Sequence, residues 1–345
     1  METRYTIHDP IKGERYQRLD LGKIIAGSFN IYKQNFGALM FFYILLELPM
    51  VALLLRYTYL INWAQSITWG SGEYTPPPID DYTGLIIWGA GMLVYSVLVF
   101  PYMLIVPARM AGLALMGKPA RIGECIAFVS RNWWVIQGTY ALFGAILISL
   151  YLLPAMLMML VVIPGMEYGS MVSAGIMLIF VSLAAMYLII RIVPLPAIIA
   201  FDRPQGTTYA RAKSRLVHTF RLTRYSFGYV LGVMVVTWIL MSLARYALIT
   251  PMEWLLTIIG LWAEKGEISF LSLSFWKPPI WITAAELSLR VLGTVIAMPF
   301  EYIVAGLLYF DLRFKQEGLD MELNLAKAAD PSTDDEAVAN ANTTY

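Results

Sequence analysis

The sequence is poor in charged residues and almost free of cysteine and histidine. Only 14% of its 345 residues are Asp, Glu, Lys or Arg, against roughly 25% in an average soluble protein. One cysteine, Cys125, excludes an internal disulfide, and two histidines, His8 and His218, leave little for a metal cluster. The enzyme motifs HExxH, GxSxG and a glycine-rich phosphate loop are also missing. The sequence therefore predicts a non-enzymatic protein with no cofactor and no metal site.

What the chain has in excess is apolar residues, which make up 59% of it and give a mean hydropathy of +0.63. Its first 35 residues carry six Lys or Arg and no short apolar core with a cleavage site, so the first span is expected to direct insertion. These features predict an all-α, polytopic membrane protein. Six transmembrane helices are expected at about 36–55, 82–106, 133–162, 170–193, 226–249 and 281–310.

Three polar stretches between the spans have helical periodicity. Leu21 to Phe36, Met110 to Asn132 and Thr208 to Tyr225 each place apolar residues on one side, which predicts amphipathic helices at the membrane surface. Met252 to Ala263 is predicted as a short interfacial helix. Each surface helix is followed by two spans, and LGKIIAG matches IGECIAF in the first two units, so an internal repeat and coincidence both stay open. The predicted domains are a polar segment 1–20, a membrane domain 21–327 and a disordered acidic tail 328–345.

Orientation follows from the distribution of positive charge. Twenty of the 25 Lys and Arg fall in the segments on one side of the predicted spans, four fall on the other side, and Arg290 lies within a span. The positive-inside rule then places both termini and all three surface helices in the cytoplasm. Five basic residues of the third surface helix are candidate contacts for anionic lipid or a protein partner: Arg211, Lys213, Arg215, Arg221 and Arg224. The alternative is that these helices only cover the ends of the spans. Nucleic acid is not expected as a partner, because the charge is tied to the bilayer plane.

Four ionisable residues lie inside the predicted spans, where charge is costly: Glu47, Glu286, Arg290 and Glu301. Glu286 and Arg290 are four residues apart and are expected to pair on one helix face. One interpretation is a proton or substrate pathway in a transporter. The other is a structural ion pair together with two neutral or hydrogen-bonded carboxyl groups.

The last span passes into alternating charge in the stretch LLYFDLRFKQEGLDMEL, from Leu307 to Leu323. Its side chains predict ion pairs Asp311–Lys315 and Arg313–Glu317 at i,i+4, with Gly318 ending the helix in a left-handed conformation. We expect Asp311 or Glu317 to accept hydrogen bonds from Arg211, Arg215 or Arg221 of the third surface helix. Asp202 and His218, by contrast, are treated as neighbours in sequence only.

This stretch resembles the end of the membrane domain that precedes the catalytic domain in some bacterial glycerophosphoryl diester phosphodiesterases. The residues that carry the resemblance are Tyr309, Asp311, Arg313, Glu317, Gly318 and Asp320, while Lys315 stands where arginine is common. The resemblance covers the membrane part only, since six spans leave no room for a catalytic barrel. It implies a protein of the cytoplasmic membrane that acts as a scaffold or handles lipid-derived substrates near an enzyme. We therefore expect a multi-pass protein of the bacterial inner membrane that acts as a scaffold or partner subunit. The alternatives are a transporter or lipid-handling protein and, third, an enzyme acting on lipid head groups.

Overall fold

In the computed structural model, residues 19–70, 79–162, 168–202, 207–265 and 280–318 are described, and all of the secondary structure in these ranges is helical. The predicted acidic tail, Asp320 and most of the polar N-terminal segment lie outside them. The helices are α1 Leu21–Gln34, α2 Phe36–Gly70, α3 Ile79–Leu115, α4 Ile122–Arg131, α5 Trp133–Val162, α6 Tyr168–Ile192, α7 Leu195–Phe201, α8 Thr208–Thr223, α9 Phe227–Lys265 and α10 Ile280–Glu317.

Six of these helices are long and apolar enough to cross a membrane: α2, α3, α5, α6, α9 and α10. The all-α, six-span prediction is confirmed, and the chain is a multi-pass membrane protein. Several helices extend past the apolar stretches that predicted the spans. α2 continues to Gly70 through a stretch predicted as loop, and α9 runs through Pro251 to Lys265, so the predicted interfacial helix is the end of α9. Once a helix is established, polar residues extend it beyond the bilayer at little cost, and a proline is tolerated in membrane helices.

The three predicted surface helices are α1, α4 and α8, and they share the basic end of the bundle with the end of α10. α3 ends at Leu115 and α4 begins only at Ile122, so the second surface helix is shorter than predicted. α7 was not predicted at all, because a short apolar helix that follows a span looks like part of that span in the sequence. Its residues Leu195 to Ala200 are all buried.

The first two surface helices end in the same way. Asn35 and Asn132 have nearly equal backbone angles, φ −107° and −105°, and each side chain donates a hydrogen bond to the carbonyl four residues earlier at 2.9 Å. α8 ends differently, with Arg224 at its C-cap and Ser226 before α9. The first two units of the repeat suggested by the sequence thus share the end of their surface helix, whereas the third unit, at the end of α8, does not.

α10 is the central helix of the bundle. It packs against α3, α9, α2, α1, α7 and α8, and its residues Ile303 to Leu312 are buried on every side. It approaches α3 closely at Gly306, which lies against the backbone of Ala108. Small residues at such crossings let two membrane helices come together. Gly228 and Gly232 of α9 have GxxxG spacing, but among the described residues nothing lies within 4 Å of a Cβ built at either position, so they mark no such crossing.

Candidate functional site

The buried carboxylate of Asp311 joins α10 to the residue that precedes α1. Asp311 has 0% exposure and accepts hydrogen bonds from the Leu19 N–H at 2.9 Å and from Lys315 Nζ at 2.7 Å. Lys315 also lies 3.9 Å from the ring centroid of Tyr229. The predicted Asp311–Lys315 pair is confirmed, whereas the predicted arginine partners from α8 are wrong for Asp311. The chain before α1 takes that place, because it enters the core beside the last turns of α10.

His218 links α8 to both α7 and α10. Its Nδ1 contacts the carboxylate of Asp202, which follows α7, and its Nε2 lies 2.9 Å from Glu317 Oε1 on α10. Both ring nitrogens face carboxylates, which only accept hydrogen bonds, so this geometry suits the imidazolium form. The prediction that Asp202 and His218 are paired in sequence only is therefore wrong. A latch between α8 and α10 exists, but histidine rather than arginine makes it.

The remaining members of this cluster belong to α10. Arg313 Nε donates to Glu317 Oε2 at 2.6 Å, which confirms the predicted pair, and Tyr309 Oη donates to Asp202 Oδ1 at 3.1 Å. Gly318 has φ +67° and follows the last residue of α10, also as predicted. We call the five side chains Asp202, His218, Tyr309, Arg313 and Glu317 the latch cluster. Four of its members have a charge partner within the cluster, so it is a structural device rather than an open site.

His218 and Asp202 are the two members of the latch cluster that lie outside the spans, and their surroundings shift the pKa of both. Hydrogen bonding to Asp202 raises the pKa of His218 above its usual 6.5, with burial opposing and Glu317 reinforcing the shift. Burial disfavours the Asp202 carboxylate, but the hydrogen bond and charge of His218 and the hydrogen bond from Tyr309 together lower its pKa below 3.8. The two shifts agree on an ion pair around neutral pH.

The stabilisation from His218 should be lost in alkaline solution. Because its pKa is raised in the folded state, its contribution is fully present below pH 6.5 and is lost as the pH rises through the folded-state pKa. The contribution of Asp202 is lost only as the pH falls below about 3.8, so it does not change in neutral or alkaline solution. We expect His218→Gln to lower the free energy of unfolding by about 1–3 kcal/mol near pH 6 and to remove the alkaline fall. Melting temperatures in detergent from pH 6 to 9 test this, and equal slopes for variant and wild type would contradict it.

Beside the latch cluster lies a second feature, a cavity of about 540 Å³ lined by arginine. We call it the guanidinium cavity. α3, α4, the start of α5, Asp202 and α8 form its walls. Its charged lining residues are four arginines and two carboxylates, Arg109, Arg131, Arg211, Arg215, Glu124 and Asp202.

Arg215 is the most informative residue of the guanidinium cavity. Its side chain is only 6% exposed, and its Nη2 donates to the backbone oxygen of Asp202 at 3.4 Å. Its Nε and Nη1 are buried and have no hydrogen-bond partner among the described residues. Burying an arginine with unused donors is costly, and burial lowers its pKa although the Asp202 charge opposes this. Two donors of this buried guanidinium therefore stay available for an acceptor.

Arg109 is held in place at the opposite wall. Its Nη1 donates to the Ala200 carbonyl of α7 at 2.8 Å, and its guanidinium lies 3.9 Å from the ring centroid of Phe128 on α4. Arginine fixed in this way is pre-organised for anions. Arg109, Arg131 and Glu124 were not predicted as site residues from the sequence. The sequence feature that could have indicated a role for Arg109 is its position two residues after Pro107, at the end of an apolar stretch.

The other basic candidates on α8 do not line the guanidinium cavity. Lys213, Arg221 and Arg224 are exposed, and Arg224 lies over the ring of Tyr225. Of the five residues proposed from the sequence, the structure brings only Arg211 and Arg215 into this cavity. Cys125 of α4 is fully buried, and burial raises its pKa to about 12, so its thiol is a packing group.

The four ionisable residues predicted inside the spans do not form one group. Arg290 Nε bonds Glu253 Oε1 of α9 at 2.8 Å, so the predicted Glu286–Arg290 pair is wrong, because a carboxylate on the neighbouring helix offers better geometry. Glu47 and Glu301 both lie near the buried Tyr43. Glu47 also lines an apolar cavity of about 830 Å³ between α2, α9 and α10.

These features define the class of the protein as an all-α, multi-pass membrane protein with an arginine-lined cavity at its basic end. No family model, curated protein or solved structure matches the chain.

Proposed function

We propose that this protein is a non-enzymatic, lipid-handling membrane protein that binds an anionic head group in the guanidinium cavity. The observation that carries the proposal is Arg215, which is buried at the cavity wall with two unused N–H donors. A carboxylate or phosphate oxygen would supply the missing acceptors and the compensating charge.

The location of the cavity favours a lipid. We propose that the basic end faces the cytoplasm of a bacterial inner membrane, following the positive-inside rule. The amphipathic helices α1, α4 and α8 would then lie at the level of the head groups, and α4 and α8 form two walls of the cavity. A lipid head group would reach Arg215 without leaving the bilayer surface.

The resemblance to the membrane domain of glycerophosphoryl diester phosphodiesterases stays a hypothesis. It is carried by Tyr309, Asp311, Arg313 and Glu317 of α10 and by Gly318 and Asp320 after it.

The predicted scaffold or partner-subunit role is the second candidate function. Lys213, Arg221 and Arg224 favour it, because the fold leaves all three side chains exposed on α8. Replacing these three together should release a protein partner, whereas it should leave lipid binding in the cavity intact.

Lipid retention by purified protein tests the main proposal. In native mass spectrometry and thermal-shift titrations, phosphatidylglycerol should bind and stabilise the protein more than phosphatidylcholine. Arg215→Gln should weaken phosphatidylglycerol binding by about tenfold or more, the size of one charge-assisted hydrogen bond. Lys213→Gln, two residues away on the exposed side of α8, is the matched control and should behave as wild type. If both variants retain the lipid equally, the cavity is not the binding site.

A further inference from the structure

The apolar cavity between α2, α9 and α10 contains one ionisable side chain. Its volume is about 830 Å³, which falls in the usual range for small-molecule sites. Among the described residues that line it, Glu47 and Ser288 are the polar ones, and the others are aliphatic residues or methionine. We call it the carboxyl cavity. Its chemistry is therefore that of a hydrocarbon surface with a single carboxyl group.

Glu47 lies at the middle of a membrane span. The span of α2 runs from Phe36 to Arg56, and Glu47 comes eleven residues after its start. At about 1.5 Å per residue, Glu47 lies about 16 Å along the helix, which is roughly half the thickness of a hydrocarbon core of about 30 Å. A carboxylate at this depth is costly unless a partner compensates its charge.

The neighbouring hydroxyl groups do not supply that partner. Tyr43 and Tyr95 lie close enough to Glu47 to interact with its charge, but each donates its one proton to a backbone carbonyl of α3 or α2. Ser288 does the same within α10, at 2.8 Å. In the described part of the chain, no hydrogen bond or ion pair engages the Glu47 carboxyl group. This carboxyl group therefore stays available to a ligand.

We propose that the carboxyl cavity binds a lipophilic cation, a small organic compound whose positive charge is carried by an apolar body. The Glu47 carboxylate would compensate this charge in surroundings of low dielectric, where opposite charges attract strongly, and the apolar walls would contact the body. An anion would be repelled by Glu47, and a neutral hydrocarbon would leave the carboxyl group without a partner. The carboxyl cavity shares no lining residue with the guanidinium cavity, and its ligand goes beyond the proposed function.

The walls of the carboxyl cavity indicate how such a compound enters. Leu48 of α2 and Leu255 of α9 line the cavity and are 65% and 57% exposed. Both belong to membrane spans, so the cavity opens towards the hydrocarbon of the bilayer. The amines of lipid head groups stay at the bilayer surface, about 15 Å from the middle of a span. The ligand is therefore a compound that dissolves in the bilayer core and not a lipid amine.

A second apolar cavity in the same bundle provides an internal control. It lies between α5 and α6, has a volume of about 510 Å³, and its described lining carries no polar side chain. Ile176 and Phe180 border it and are exposed, as Leu48 and Leu255 are at the carboxyl cavity. A compound attracted by apolar surface alone would bind at both places, whereas a cation should select the cavity that contains Glu47.

Probes of similar shape and different charge test the site. Radiolabelled tetraphenylphosphonium, a cation, and tetraphenylborate, its anionic counterpart, are dialysed separately against the purified chain in detergent, with empty micelles as the blank. We expect saturable binding of one tetraphenylphosphonium per chain and no saturable binding of tetraphenylborate. Neutral tetraphenylmethane, dissolved in the micelles beforehand, should not displace the cation.

Two pairs of variants locate the binding. Glu47→Gln should weaken tetraphenylphosphonium binding about tenfold or more, because it removes one partner of a buried charge pair at nearly constant volume. Glu286→Gln, at a carboxylate of α10 that does not line the cavity, should bind the cation as wild type does. Ala52→Phe narrows the carboxyl cavity, keeps its charge and should also weaken binding. Ala184→Phe, its counterpart in the second apolar cavity, should not.

The contradicting results are distinct from a failure of the proposed function. Equal binding of tetraphenylborate, or displacement of the cation by an equal concentration of tetraphenylmethane, would mean that the cavity accepts any apolar body, a lipid acyl chain included. Unchanged binding in Glu47→Gln and Ala52→Phe would also overturn the site. Melting temperature and gel filtration check the folding of each variant, and if Glu47→Gln does not fold, Ala52→Phe and its control decide. Phosphatidylglycerol binding, which depends on Arg215, should be unchanged in Glu47→Gln, so the two sites are tested separately.

Discussion

Gly306→Leu should strongly destabilise the protein, lowering the free energy of unfolding by about 1–3 kcal/mol or more. A Cβ at position 306 would lie 2.8 Å from the Ala108 carbonyl oxygen and 2.9 Å from the Ala111 Cβ. Both neighbours are fixed, one by the backbone of α3 and the other by its own short side chain. A leucine would therefore push α10 away from α3 at the most buried part of the central helix.

The matched control for this substitution is Gly232→Leu on α9. Nothing lies within 4 Å of a Cβ built there, so the side chain has open space and its stability should stay within about 0.5 kcal/mol of wild type. Thermal unfolding in detergent, followed by circular dichroism or by exposure of Cys125 to a thiol reagent, measures both variants. Equal losses for the two would mean that α10 and α3 do not approach as closely as described.

Asp311→Ala should also cause a large loss, about 2–4 kcal/mol, because it breaks a buried charge pair. The Leu19 N–H and the Lys315 ammonium would each lose their acceptor. This loss is smaller than that expected for a fully buried ion pair, because the Lys315 side chain is 31% exposed and its ammonium can be hydrated. The start of α1 should become more accessible to proteolysis, because its attachment to α10 is lost.

Two further variants separate this explanation from a latch to α8. Asp20→Ala, at an exposed carboxylate whose side chain makes no capping hydrogen bond, should leave the melting temperature almost unchanged. Combining Asp311→Arg with Arg215→Asp should give no recovery, because Arg215 bonds the Asp202 carbonyl and not Asp311. Recovery of stability in that double variant would support the arginine pairing expected from sequence and contradict the contact with Leu19.

The latch cluster and the guanidinium cavity share Asp202, and this joins stability to binding. The carboxylate of Asp202 bonds His218 and Tyr309, while its backbone oxygen accepts from Arg215. α7 presents Asp202 at this point, and its residues Leu195 to Ala200 are buried. A ligand drawn to Arg215 would therefore stabilise the packing of α7, α8 and α10 together, so ligand binding should raise the melting temperature of the whole bundle.

The sequence by itself determined the class of the protein. Long apolar stretches have no soluble alternative, so six spans, three surface helices and an all-α fold follow from composition and periodicity alone. Local spacing was equally decisive at the end of α10, where the pairs Asp311–Lys315 and Arg313–Glu317 and the left-handed Gly318 all lie within one or two turns. Interactions at i,i+4 can be predicted where no neighbouring helix offers a competing partner, and they fail where one does, as Glu253 does for Arg290.

The candidate site was decided by the tertiary structure. Arg109 and Arg215 are 106 positions apart, and nothing in their local sequences indicates that α3 and α8 border one cavity. The same holds for His218 and Glu317, which are 99 positions apart, and for Asp311 and Leu19, which are 292 apart. Such contacts depend on how the spans pack side by side, and in a membrane every apolar helix surface is an acceptable partner for lipid or for another helix. Hydrophobic pattern therefore fixes which segments cross the membrane, while close packing at residues such as Gly306 selects the neighbours and so creates the site.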